Sequence, residues 1–103
     1  MATERTRLTP KERRARILDA ALGLAEKHGY LNITRKEIAE SAGCSVGLVT
    51  TRLGAMEKLR DLLMREAVKR GLDRIVLAGL VNKHPVAMKA PEEIKARARG
   101  LLK

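Results

Sequence analysis

An all-α fold is predicted by three features of this 103-residue sequence. It contains one aromatic residue, Tyr30, and neither Phe nor Trp. Its core must therefore come from Leu, Ile, Val, Ala and Met, and its composition is rich in the stronger helix formers. Helix-start and helix-stop residues recur along the chain. Between them the apolar residues keep helical spacing, with no strand-like alternation and no internal repeat. The length suits one domain with a modest core.

The elements follow in order. Residues 1–8 are polar and read as a basic arm carrying Arg5 and Arg7. Thr9-Pro10-Lys11-Glu12 combines an N-cap, a proline at the first helical position and a capping box. The helix it opens carries Ile17, Leu18, Ala21, Leu24 and Ala25 on one face. Gly29 ends it, with Lys27 and His28 in a last turn that favours positive charge. Thr34-Arg35-Lys36-Glu37 is a second capping box, opening a short helix with Ile38, Ala39 and Ala42 inward and Gly43 as terminator. Ser45 caps the next helix, which runs to Leu53 with Val49 and Leu53 inward, and Gly54 ends it. A longer helix from Met56 puts Leu59, Leu62, Leu63 and Ala67 on one face. Gly71 either ends or bends it, and helical spacing continues through Leu80. Asn82 to Pro85 reads as a break. Pro91-Glu92-Glu93 starts a last helix ending near Leu102, with Ile94, Ala98 and Leu101 inward. The expected division is an arm (1–8), a head (9–70) and a helical extension (71–103).

The net charge is +10, from 22 Lys and Arg against 12 Asp and Glu. Such an excess favours polyanions: DNA, RNA or an acidic membrane surface. Residues 1–16 hold six basic groups against two acidic, whereas residues 17–53 hold four of each. A neutral centre thus sits between basic ends. A single cysteine allows no internal disulfide, and the polar N-terminus resembles no signal peptide. No apolar run approaches a membrane span. A cytoplasmic protein is expected.

The stretch "ITRKEIAESAGCSVGLVTTRLG" carries the functional signal. Two helices cross steeply only where a small residue sits at their contact, and Ala39 supplies it. The turn needs a residue tolerant of positive φ, and Gly43 supplies it. Val49 anchors the second helix back to the first. That spacing predicts a helix-turn-helix, whose second helix enters the DNA major groove.

Residues 14–65 also resemble the DNA-binding domain of the TetR family of bacterial transcriptional regulators. The shared residues are Ile17-Leu18-Asp19-Ala20-Ala21, Gly29-Tyr30, Thr34, Ile38-Ala39, Ala42-Gly43, Gly47, Glu57 and Leu59. The resemblance implies DNA contacts at Thr34 and Arg35, and at Ser45, Val46, Gly47, Leu48, Thr50, Thr51 and Arg52. The sequence departs from that family at Thr50, Arg52 and Leu53, where aromatic residues are usual. It departs again at Met56, where a phosphate-binding lysine is usual, and Lys58 is the nearest substitute. The family's large inducer-binding domain has no counterpart expected within these 103 residues, so no small-molecule effector is evident.

Other candidates read as structural. Cys44 follows the turn glycine, where small buried residues fit. Cys44, His28 and His84 are too scattered for a metal site, Met56, Met64 and Met88 suit core or interface filling, and no nucleophile–base arrangement is readable. No enzyme activity, cofactor or metal is expected. The expected partner is double-stranded DNA, bound as a homodimer through an apolar face of Val68, Leu72, Ile75, Val76 and Leu80, with Gly71 and Gly79 allowing close approach. The expected function is a repressor occupying an inverted-repeat operator through the helix Ser45–Leu53. The rival readings are a nucleoid-type protein of low sequence specificity and a protein-interaction module such as an antitoxin or adaptor.

Overall fold

Hydroxyl caps set the first helices of the chain, whose computed structural model describes residues 9–102. The expected arm with Arg5 and Arg7 lies outside the described residues. The Thr9 hydroxyl accepts from the Glu12 amide at 3.1 Å, and the Glu12 carboxylate accepts from the Thr9 amide at 2.9 Å. These bonds, led by the one from the Thr9 backbone, hold the Glu12 carboxyl below its ordinary range. Helix α1 (Pro10–His28) follows, burying Ile17, Leu18, Ala21, Leu22 and Ala25. Thr34 and Glu37 repeat the reciprocal cap at the start of α2 (Arg35–Ala42). Gly43 then adopts φ 72°, the left-handed conformation that a Cβ disfavours. It swings the chain into α3 (Val46–Leu53), whose cap Ser45 accepts from the Leu48 amide at 3.1 Å.

The later helices start differently. Helix α4 (Met56–Arg70) begins at Ala55, and α5 (Asp73–Val81) at Leu72, both without a side-chain cap. Gly71 resolves the alternative left open by the sequence: its φ of 68° ends α4, and α5 is a separate helix. Helix α6 (Pro85–Met88), beginning at the last residue of the expected break, is an element the sequence reading does not include. Pro85 occupies its first position, and the His84 ring accepts from the Val86 amide at 3.2 Å. Helix α7 (Glu92–Arg99) passes into a 3₁₀ turn at Gly100–Leu102. That turn advances each residue by 120° rather than 100°, so the helical phase is lost. Leu101, expected inward, is accordingly 49% exposed.

One apolar cluster spans all the longer elements. It joins Ile17 and Leu22 of α1, Ile38 of α2, Val49 and Leu53 of α3, Leu59, Leu63 and Met64 of α4, and Ile75 and Val76 of α5. Ala87 and Ala98 bring in α6 and α7. Met64 is fully buried and Met56 half-buried, whereas Met88 is exposed.

The expected dimer face is not a surface. Ile75 is 1% exposed and Val76 is fully buried, while Val68, Leu72 and Leu80 are half-buried against the same core. Helix α5 packs on α4, α6 and α7, so its apolar stripe is satisfied within the chain. The close approach expected of Gly79 is also internal: a Cβ there would come within 2.7 Å of Ala87 Cβ and Met64 Cε. An amphipathic pattern records that a face is covered, not by which chain.

Polar links tie α4 to α1, α7 to the start of α5, and the start of α6 to the head. Arg70 Nη2 lies 2.9 Å from Asp19 of α1, and its Nε lies 2.7 Å from Glu66. Arg97 donates to Asp73 at 3.2 Å and to the Gly71 carbonyl at 3.1 Å. The His84 ring sits edge-on to Tyr30, with centroids 5.8 Å apart, and its Nε2 is 3.1 Å from Asp61. Burial pushes the Tyr30 phenol up, with Arg60 opposing the shift.

Candidate nucleic-acid interface

Helix α3 divides cleanly into an inner and an outer side. Val49 and Leu53 are buried, which fixes the helix against the core and aims the opposite side outward. Ser45, Val46, Gly47, Thr50 and Thr51 are exposed; Leu48 is half-buried. These are the positions expected to meet DNA, and the fold leaves them uncovered.

The two threonines are more tightly arranged than their exposure suggests. Thr50 donates to the Val46 carbonyl at 3.3 Å, and Thr51 donates to the Gly47 carbonyl at 2.9 Å. Each hydroxyl hydrogen is thereby committed to its own helix. What remains for a partner is a methyl group and an oxygen lone pair. A methyl suits a thymine methyl, and a lone pair suits an adenine or cytosine amino group. Arg35 Nη1 donates to Thr50 Oγ1 at 3.2 Å, so α2 steadies the outer side of α3.

The caps contribute in a particular way. The Thr34 hydroxyl accepts from the Glu37 amide and donates to the Glu37 carboxylate, both at 3.1 Å. Ser45 accepts from Leu48. With those hydroxyls engaged, the backbone amides opening α2 and α3 are the groups suited to a phosphate oxygen, since a helix start leaves them without an internal acceptor.

Two clefts flank α3. One, of about 410 Å³, is bordered by Thr34, Arg35, Lys36, Val46, Met56 and Arg60. The other, of about 290 Å³, is bordered by Arg14, Thr51, Arg52, Gly54, Lys58 and Leu62, with Leu53 between them. Lys58 was expected to substitute for a lysine at Met56, but it borders the second cleft and its methylenes lie against Gly54. Arg35, Lys36 and Arg60 are the cations that share the cleft with Met56, and Arg60, the one on its own helix, is a residue sequence reasoning missed. The signal was available: Arg60 is four residues after Met56 in a helix and so shares its face.

Arg52 is also placed differently from expectation. It is half-buried rather than outward, and its Nε, like that of Arg60, is buried without a hydrogen-bond partner. None of Arg14, Arg35, Lys36, Arg52, Lys58 and Arg60 forms an ion pair among the described residues. The interface is therefore an outward polar helix between two uncompensated cationic clefts.

Among the described residues no group of His, Cys, Asp and Glu is arranged to hold a metal ion, and no helix is long and apolar enough to cross a membrane. Cys44 is half-buried beside the turn, with its amide donating to Ala39 at 3.0 Å. No curated protein and no solved structure matches the chain. Residues 17–63 match the family model described as bacterial regulatory proteins, tetR family. That match spans α1 from its first buried residue to the middle of α4, with the turn at Gly43 and the outward side of α3 inside it. Over residues 17–63 the chain is therefore similar to the helix-turn-helix DNA-binding domain of the bacterial tetR-family regulators.

Proposed function

We propose that the chain is a sequence-specific repressor that occupies an inverted-repeat operator as a homodimer. The observation that carries this reading is the outer side of α3. Val46, Thr50 and Thr51 are held outward by a buried Val49 and Leu53, in a conformation fixed by their own hydrogen bonds. Base readout needs such rigidity, because a mobile side chain loses discrimination to entropy. Thr34, Arg35, Ser45, Gly47 and Leu48 complete the surface, and the arm residues Arg5 and Arg7 extend it along the backbone or minor groove. Occupying an operator near a promoter represses by excluding polymerase.

The homodimer follows from footprint. One helix-turn-helix covers a half-site, and two-fold pairing would set two recognition helices about one DNA turn, roughly 34 Å, apart. With Ile75 and Val76 in the core, the pairing is assigned to the apolar side chains left outside on the extension. Val81 is 67% exposed and Leu102 is 70% exposed, with Leu101 beside it, and α5 contacts the 3₁₀ turn that carries the two leucines.

Footprinting on genomic fragments, with unrelated duplex as competitor, tests the reading. A few sharp, two-fold symmetric protected sites that survive a large excess of competitor are the expected outcome. Uniform coverage that unrelated DNA removes would instead establish the nucleoid-type reading, which the net charge of +10 favours. Protection of an asymmetric site by a monomer would remove the dimer.

A further inference from the structure

Four helix starts among the described residues are capped by a side chain. Three of the acceptors are hydroxyls, those of Thr9, Thr34 and Ser45. The fourth is an imidazole: His84 Nδ1 accepts from the Val86 amide at 3.2 Å and opens α6. An amide N–H can donate only to a ring nitrogen that carries no hydrogen, so the ring hydrogen sits on Nε2. There it donates to Asp61 Oδ1 of α4, 3.1 Å away. The ring also stands edge-on to Tyr30, and only 11% of the His84 side chain is exposed. One neutral ring thus bonds α6 on one side and α4 on the other. The residue before it, Lys83, has a φ of 57°, the only positive value outside glycine among the described residues. The turn into the ring is strained, so the ring's own contacts hold it in place.

We infer that His84 is an acid-sensitive latch, which holds α6 against the head while neutral and releases it on gaining a proton. The inference stands apart from the DNA-binding reading. Protonation places a hydrogen on Nδ1, which then faces the Val86 N–H donor to donor, and the cap is lost. The other side behaves oppositely, because an imidazolium Nε2–H still donates to the Asp61 carboxylate, now with charge assistance. The ring stays with α4 and lets go of α6. Ala87 of α6 is fully buried beside Gly79 and Met64, so release uncovers the junction of α4 and α5. Histidine is the side chain whose charge changes between about pH 5 and 8. The hold on α6 is complete above that range and is lost as pH falls through it, with one proton taken up per release. Glu57, Lys58, Arg60 and Asp61 of α4 border the same cleft as His84 and Tyr30, and Arg65 and Lys89 border the adjoining one. Of these charged groups, Asp61 makes the hydrogen bond to the ring. The hydroxyl caps of α1–α3 keep their lone pairs across that range, so acid loosens the extension and leaves the helix-turn-helix formed.

The test follows the full chain by NMR from about pH 8 down to about pH 5. At the upper end the ring nitrogen shifts of His84 should show the hydrogen on Nε2. As the ring takes up its proton, the Val86, Met88 and Lys89 amides should lose protection together. After correction for intrinsic exchange, the loss should be about tenfold for each pH unit below the midpoint. The amides of Thr50 and Thr51 in α3 should keep theirs, and titration of His28, exposed at the end of α1, should move none of them. His84→Asn puts a side-chain oxygen where Nδ1 accepts and has no proton to gain. In that variant the protection of α6 should stay flat across the range. A hydrogen on Nδ1 at the upper end, a ring that gains no proton by the lower end, or α6 amides that stay protected while it titrates overturns the inference. So does an undiminished pH step in His84→Asn, or loss of α3 protection at the same midpoint, since the head would then unfold with the extension. If His84→Asn does not fold, the wild-type ring shifts and amide protection decide alone.

Discussion

The first three helices and the last three use the same residue types in opposite ways. In α1–α3 the helix starts are written locally: Thr9, Thr34 and Ser45 each cap the amide three residues on. In the extension, α5 and α7 start without a side-chain cap and are held by what they pack on. The cations divide in parallel. Arg35, Lys36 and Arg52 stand without carboxylate partners among the described residues, whereas Arg97 is bound to Asp73 and Lys95 to Glu92. Arg70, at the end of α4, binds Asp19 and Glu66. Lys95 and Arg97 of the extension thus neutralise carboxylates of their own fold, whereas Arg35, Lys36 and Arg52 beside α3 keep their charge for a polyanion. Net charge alone cannot make that distinction, because it counts both kinds equally.

The sharpest way to break this comparison is to put charge into the shared core. Ile75→Glu and Val49→Asp place a carboxylate among fully buried apolar side chains, one in the extension and one in α3. Each should cost about 4 kcal/mol or more and unfold the whole chain cooperatively in thermal denaturation. If Ile75→Glu gave a folded monomer instead, α5 would be an interface and not core.

The outer side of α3 should respond in binding alone. Thr50→Ala and Thr51→Ala remove exposed groups, so the melting temperature should hardly move. Specific affinity should fall by about 1–3 kcal/mol for each residue that reads a base. Titration on operator and unrelated duplex separates this from a phosphate effect, and intact specificity in the double variant would dismiss α3 as the reader.

Local caps come next in size. Thr34→Ala removes the acceptor for the Glu37 amide and should destabilise the fold by about 1 kcal/mol in chemical denaturation. No hydroxyl cap of that kind exists to be removed from α5, and a comparable loss from substituting Leu72 would have to come from packing.

The smallest effect is expected where the surface ion pairs sit. Arg97 is more than half exposed, so Arg97→Ala should cost under about 1 kcal/mol. The loss should shrink at high salt, and DNA affinity should not change. A clear drop in DNA affinity would mean that the extension also touches the duplex, and the division of labour between paired and unpaired cations would need redrawing.

What the sequence determined by itself was whatever a few neighbouring residues can enforce. Thr34 with Glu37, Gly43 with its left-handed φ, and Ser45 with Leu48 each close within three or four residues, so the helix-turn-helix and its outward side were legible before any fold was seen. The tertiary structure decided which partner covers a face and where a long side chain ends. Val68, Leu72, Ile75, Val76 and Leu80 keep the spacing of one stripe, but periodicity is blind to whether the covering helix belongs to the same chain, and here α4, α6 and α7 cover it. Arg52 and Arg60 are separated by eight residues and a turn, and their likeness, a buried Nε without an acceptor, exists only once α3 and α4 are packed together. Hydrogen bonds within a turn are local and can be read along the chain; burial is a property of the assembled surface.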